Sequence, residues 1–206
     1  MVIAEEMAQE RIALEQAIAT TKLEDKAAAV CFVESLIKLI WNHKMVGLIH
    51  TFYDHKPLFK GANGLKLVSQ DEIVIETLEM LAAFPNLRMN ITESFASGDK
   101  NSEFKVYLRS YCDGQNQGPS RFGPPTNNVL NEKNSLGQSV YILKKIGEGK
   151  PVVAIIGCLH GDEVIGEKII KEIDIGITRY NNGDYAEAIK ALQNASKLGG
   201  REVFVV

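Results

Sequence analysis

Cysteine is scarce in this chain and badly spaced for any chemistry that needs it in groups. Cys31, Cys112 and Cys158 lie far apart, their number is odd, and no CxxC spacing occurs. A disulfide framework and a zinc knuckle are both excluded as readings, which leaves free thiols packed as small hydrophobes. Clustered positive charge is also missing. Lys and Arg are scattered evenly and the formal net charge is −3, so a nucleic-acid partner, which needs a basic patch, is not expected. No apolar run approaches the ~20 residues of a membrane span. The opening residues MVIAEEMAQERIALEQ are acidic, without the basic start and apolar stretch of a signal peptide. No membrane association and a cytoplasmic location are therefore expected. His43, His50 and His55 show neither HxxH nor HExxH spacing, so no metal site is expected from them.

What is present is ordinary globular material, 45% hydrophobic and 24% charged. Ile3, Met7, Leu14 and Ile18 recur at helical spacing, which predicts an amphipathic helix over 2–19. Thr21 followed by Glu24 reads as a capping box opening a second helix with Val30, Val33, Leu36, Ile37, Ile40 and Trp41 inward, ending near Asn42–His43. A shorter helix is expected over 44–53, with Val46, Ile49 and Phe52 or Tyr53 inward, and Gly61, Asn63 and Gly64 mark a turn. Ser69 and Glu72 form another capping box, before a helix carrying Ile73, Leu78 and Leu81 that ends before Pro85.

The pattern then changes period. Residues 87–96 and 103–112 read as strands joined by the turn ASGDKNSE, with Phe104, Val106 and Leu108 alternating with Lys105, Tyr107 and Arg109. Residues 113–137 form a long polar loop, a feature usually functional or mobile inside a compact domain. A second hairpin follows as QSVYILKKI, the turn GEGK, and PVVAIIGCLHG. Helices followed by an antiparallel meander predict an α+β domain rather than a wound βαβ fold.

The strings IWNHKMVGLIHTFYDHKPLF, DEIVIETLEMLAAFPNLRMNITESFASGD, GPSRFGPPT and GQSVYILKKIGEGKPVVAIIGCLHGDEVI together resemble the SnoaL-like polyketide cyclases and ester cyclases of the nuclear transport factor 2-like superfamily. The likeness rests on order and spacing. Trp41-Asn42 closes a helix, Phe84-Pro85 and Leu87 precede a strand, Gly98-Asp99 sits in a hairpin turn, and a Gly-Pro-Pro-Thr loop occupies 123–126. It covers about residues 30–168. The resemblance implies a cone-shaped, cystatin-like fold, a bent antiparallel sheet wrapped over helices with a ligand pocket at the wide end, and often a homodimer through the sheet. It implies no cofactor. In cyclase members an acid after the last strand takes a proton beside a carbonyl, and the enolate closes a ring by intramolecular aldol addition.

The residue matching that acid is Asp162. A carboxylate at an apolar pocket floor suits general acid/base work, because burial raises its pKa towards neutrality. An Asp directly before a helical run is equally a candidate N-cap, and both roles stay open. His160, two residues earlier, would share its strand face and orient a substrate carbonyl. The pocket walls are expected from Trp41, Tyr53, Phe59, Leu81, Phe84, Tyr141 and Ile156, with Arg121 at the rim to pair with a substrate carboxylate. Two departures from the family pattern stand out. Gly157-Cys158-Leu159 replaces the usual aromatic before the acid, and Phe59-Lys60 occupies the position where a polar residue, often His, is usual.

Residues 169–206 are read as a helical hairpin and tail, and 1–29 as a helix and linker. Gly176, Gly183, Tyr185, Ala188, Leu192 and Ala195 fall at the spacing of one tetratricopeptide repeat. A single such repeat cannot bury its own apolar face, so it must pack on something else. The resulting expectation is a protein that binds a small apolar or carbonyl-containing ligand, non-catalytic or acting in assembly. The alternative is a cofactor-free lyase or isomerase using Asp162.

Overall fold

The structure, a computed structural model, describes residues 2–60, 65–121, 123–145 and 151–159, with scattered positions between 179 and 194. The chain divides into two compact units, residues 1–158 and 159–206. In the second, Arg179 is helical, Asn182 lies in a turn, and Ala186, Glu187 and 189–191 are helical. The Arg179 guanidinium donates to the Asp184 carboxylate at 3.1 Å. Most of the tetratricopeptide-like spacing, the turns at 61–64 and GEGK, and REVFVV lie outside the described residues.

The first unit runs α1 (Val2–Thr20), α2 (Lys26–Trp41), α3 (Leu48–Phe52), β1 (Tyr53–Lys60), β2 (Lys66–Leu67), α4 (Gln70–Ala83), β3 (Arg88–Gly98), β4 (Phe104–Gln115), β5 (Val129–Leu130), α5 (Glu132–Ser135), β6 (Gly137–Lys145) and β7 (Pro151–Leu159). One seven-stranded sheet has the order β2-β1-β7-β6-β4-β3, with β5 beside β4. This is the α+β architecture expected from the sequence. Both predicted hairpins join through antiparallel β4–β6 pairing, which sets Val106 opposite Tyr141 and Phe104 opposite Leu143. Those residues and Leu108 are buried, so the alternation along β4 sorts core from surface as its period requires.

The core gathers around α2. Phe32, Val33, Leu36, Ile37, Leu39 and Ile40 are all fully buried, which takes in more than one helix face. α1 packs on one side of α2, and β3 and β4 pack on the other. A helix apolar most of the way round has to be covered on both sides.

Local expectations fail at several places, each for a visible reason. The cap of α2 is Asp25 rather than Thr21. Asp25 is extended and accepts from the Ala28 amide at 2.8 Å, while the Thr21 hydroxyl donates back to the Ala17 carbonyl and finishes α1. Met7 is exposed, and α1 buries Ile18. The helix expected over 44–53 shrinks to Leu48–Phe52 because Lys44 takes φ +60 and breaks the run. Tyr53 then opens β1, which pairs parallel to β7. Pro57, lacking an amide donor, falls where the β1–β7 register shifts. In α4 the inward residue is Thr77, one turn after Ile73 and donating to its carbonyl at 2.8 Å. Leu78 faces out, 50% exposed. The expected loop over 113–137 holds the end of β4, β5 and α5. Among the described residues, no helix is long and apolar enough to cross a membrane.

The Ser69–Glu72 capping box forms as read, with the Glu72 carboxylate also accepting from the Val68 amide at 2.6 Å. That bond above all, with those from Ser69, holds the Glu72 carboxyl below its usual range. A depressed folded-state value means stability present above the unfolded pKa and lost as pH falls through the folded one. Glu72→Gln should therefore lower stability near neutrality, and the deficit should shrink as the pH falls below about 4, the ordinary range of a Glu carboxyl. Urea unfolding at stepped pH measures this.

The end of α2 is tied to β3 by a side chain acting as a strand. The Asn42 amide donates to the Met89 carbonyl at 3.1 Å and its oxygen accepts from the Met89 amide at 2.7 Å. Asn42→Ala leaves both backbone groups unpaired at a half-buried site. It should cost about 1–3 kcal/mol in chemical denaturation.

Candidate functional site

The predicted pocket residues separate into two places. Tyr53 and Tyr141 are buried members of the main core cluster, and Trp41, Phe59 and Leu81 pack against it half-buried. Phe59 lies opposite Ile156 in the β1–β7 pairing, although the Ile156 side chain is outside the described residues, as are His160 and Asp162. Phe84 lies elsewhere, at the C-terminal end of α4. The inner sheet face that Tyr141 shares also carries Ser110, which is buried.

Arg121 is taken up by α4. Its guanidinium pairs with the Glu76 carboxylate and its backbone amide donates to Glu79 at 3.1 Å. A ligand carboxylate would have to displace Glu76 to reach it.

Phe84 instead helps line a groove of about 580 Å3 between the end of α4 and the loop that follows β4. Its apolar surface comes from Met80, Phe84, Pro124, Val129 and Leu130, and its polar surface from Asn116, Thr126, Asn128 and Asn134. The organiser is Asn116. Its amide nitrogen donates to the Ala83 carbonyl at 3.1 Å, and its oxygen accepts from the Thr126 amide at 2.7 Å and hydroxyl at 3.0 Å. Its backbone pairs with Asn127 and Asn128. Gly118 lies so close to α4 that a Cβ would sit 1.7 Å from the Ala82 carbonyl oxygen, so no larger residue fits there. Asn134 braces the far wall by donating to the Val129 carbonyl at 2.9 Å. Asn116 carries no periodic signal, and only its place at the end of β4 before a polar loop hints at this role.

A second hollow, about 440 Å3, lies where α1, α2 and β3 meet. It differs in charge, because Lys26, Glu34 and Lys38 stand around Leu14, Val30 and Cys31.

The histidines are dispersed. His43 is nearly buried, with Nε2 3.3 Å from Glu10 Oε2 but off hydrogen-bond alignment. His50 meets Gln70 at 3.3 Å and Asp71 at 3.8 Å near the surface. Among the described residues, no group of three or more His, Cys, Asp or Glu is arranged to hold a metal ion. Beside His43, the Lys44 ammonium donates to the Trp41 carbonyl at 2.7 Å and to that of Leu87. Burial first, and then Arg88, hold its pKa below the ordinary lysine range, with Cys112 acting in the opposite sense.

If Asn116 carries the groove wall, Asn116→Ala should leave the sheet intact and speed hydrogen exchange at the Thr126 amide by at least tenfold. The expected loss of stability is about 1–3 kcal/mol, because Ala83 and Thr126 lose their partner. Exchange monitored by NMR, alongside urea unfolding, tests both.

No protein-family model matches the chain, and no curated protein sequence does so. Solved structures do. An uncharacterized protein with a cystatin-like fold from Caulobacter vibrioides aligns at TM-score 0.51 and 10% identity, over 68% of this chain and 95% of that one. Aln2 from a Streptomyces species aligns at TM-score 0.50 and 13% identity, over 66% and 90%. A proposed SnoaL-like polyketide cyclase from a Jannaschia species aligns at 0.44 and 9%, over 61% and 83%. At such identities the likeness is one of fold. The chain therefore has a cystatin-like fold.

Proposed function

We propose that the protein binds a small apolar or carbonyl-containing molecule in the concave interior of its sheet, and that its role is binding or assembly rather than turnover. The observation that supports this most is the makeup of the inner face. The Tyr53 and Tyr141 rings belong to a buried apolar cluster, and Ser110 is buried on the face that Tyr141 shares, the pattern of mostly apolar walls with few polar groups that ligand sites share. Trp41, Phe59, Leu81 and Ile156 complete the proposed lining, whereas Phe84 and Arg121 lie apart from it. The departures at Gly157-Cys158-Leu159 and Phe59-Lys60 favour a retained pocket without the cyclase apparatus. The unit 30–168 would carry the ligand, 169–206 would contribute a helical hairpin for assembly, and the working form would be a homodimer.

The rival reading is a cofactor-free lyase or isomerase in which Asp162 removes a proton beside a carbonyl, helped by His160. Its motive is the position of Asp162 after the last strand, and it would need no metal or cofactor.

Two experiments separate these readings. Mass spectrometry of the denatured, purified protein should find a near-stoichiometric small apolar compound, and its absence would count against the binding role. For the rival, compounds found this way are incubated with the wild type, Asp162→Asn and Asp162→Ala. If Asp162 is the acid/base, Asn should keep the fold and lower turnover by about two to four orders of magnitude. If it is a cap alone, Asn should behave as wild type while Ala lowers stability by about 1 kcal/mol.

A further inference from the structure

We propose that the groove between α4 and the loop after β4 is a second binding site, selective for uncharged ring compounds that carry a carbonyl or amide. It is distinct from the cone interior and does not depend on it.

The argument starts from charge. Charged residues make up 24% of the chain, and the other hollow is flanked by Lys26, Glu34 and Lys38. Among the described residues lining the groove, none ionises. Transferring an ion from water into an apolar recess costs free energy unless a counter-charge meets it. Neither a carboxylate nor an ammonium would find one here. Of the nearby charges, the Arg121 guanidinium pairs with Glu76 and Glu79 accepts from the Arg121 backbone amide on the side of α4, while Glu132 and Lys133 of α5 are not among the lining residues.

Shape narrows the class. A volume of about 580 Å3 falls within the ~300–1,000 Å3 of small-molecule sites. Phe84 and Met80 offer a ring and a polarisable thioether, which favour aromatic partners. The walls are already organised, because Asn116 and Asn134 spend their side-chain amides on the protein itself. A site built before binding loses less conformational entropy when a ligand arrives. Among the described lining residues, the Asn128 side-chain amide remains without a hydrogen bond. It is exposed, and it can both donate to and accept from a carbonyl or amide on the ligand.

The test uses the full chain, 15N-labelled, titrated with 2-naphthamide and with two ionic analogues of the same ring system, 2-naphthoate and 2-naphthylmethylammonium. The expected result is saturable shifts of the Phe84, Asn116, Asn128 and Leu130 backbone amides with 2-naphthamide, and binding at least tenfold weaker for both ions. Asn128→Ala should weaken the amide by about fivefold, the worth of one ordinary hydrogen bond. Val129→Asp should weaken it by at least tenfold, and the exposure of Val129 lets that variant fold. Equal affinity for the three probes, an unchanged affinity in Asn128→Ala, or no saturable shift in the groove would each overturn the proposal. Shifts confined to β4 and β6 around Val106 and Tyr141 would overturn it while leaving the cone-interior reading standing.

Discussion

The burial of α2 is the constraint on which the rest of the first unit depends. A helix with Phe32, Val33, Leu36, Ile37, Leu39 and Ile40 all removed from water cannot lie on a protein surface, and each such side chain contributes about 1.5–3 kcal/mol only when fully covered. α1 covers one side, and the long hairpin of β3 and β4 covers the other. This burial also demands accurate docking where the helix ends. The Asn42 amide and the Lys44 ammonium supply it by pairing with the backbone of Met89 and Leu87 as that segment enters β3. The Trp41-Asn42 pair that carries part of the family resemblance thus has an architectural use in this chain.

Polar order at the other end of the sheet comes from amides instead of apolar packing. Asn116 satisfies α4, Thr126, Asn127 and Asn128 from one position, and Asn131 with Asn134 cap the short α5. Amide side chains suit this work because each carries donors and an acceptor, so one residue can bond a carbonyl and an amide together. The result is a long connection that holds a defined wall without a core of its own, and among the described residues that line the groove none is charged. That neutrality bears on function, since a ligand's charge decides whether such a surface accepts it.

The buried face of the same sheet presents a different chemistry. Large rings, Tyr53 and Tyr141, stand in the core among aliphatic neighbours.

Much of this architecture was legible in the chain. Period-2 alternation along Phe104–Leu108 assigned the inner face correctly, since a residue's side in a strand follows from parity. The Ser69–Glu72 box, the apolar α2 and the α+β order were legible for the same reason: each is a local rule obeyed by neighbours in sequence. The sequence marked the polar loop and the aromatics Trp41, Tyr53, Phe59 and Tyr141 that gather at the core, but not that Phe84 and Arg121 lie apart from them. Only tertiary structure decided what depends on distant partners. β1 became a strand, despite Pro57 and its charges, because β7 offered it a parallel edge from the far end of the unit. Leu78 turned outward because Thr77 lies one turn after Ile73 on the buried side. Arg121 went to Glu76 and Glu79, and Asn116 to Ala83 and Thr126, through contacts between segments that no periodicity links. Local propensity and pattern act over a few residues, whereas a groove and its charge balance arise only where separate segments meet.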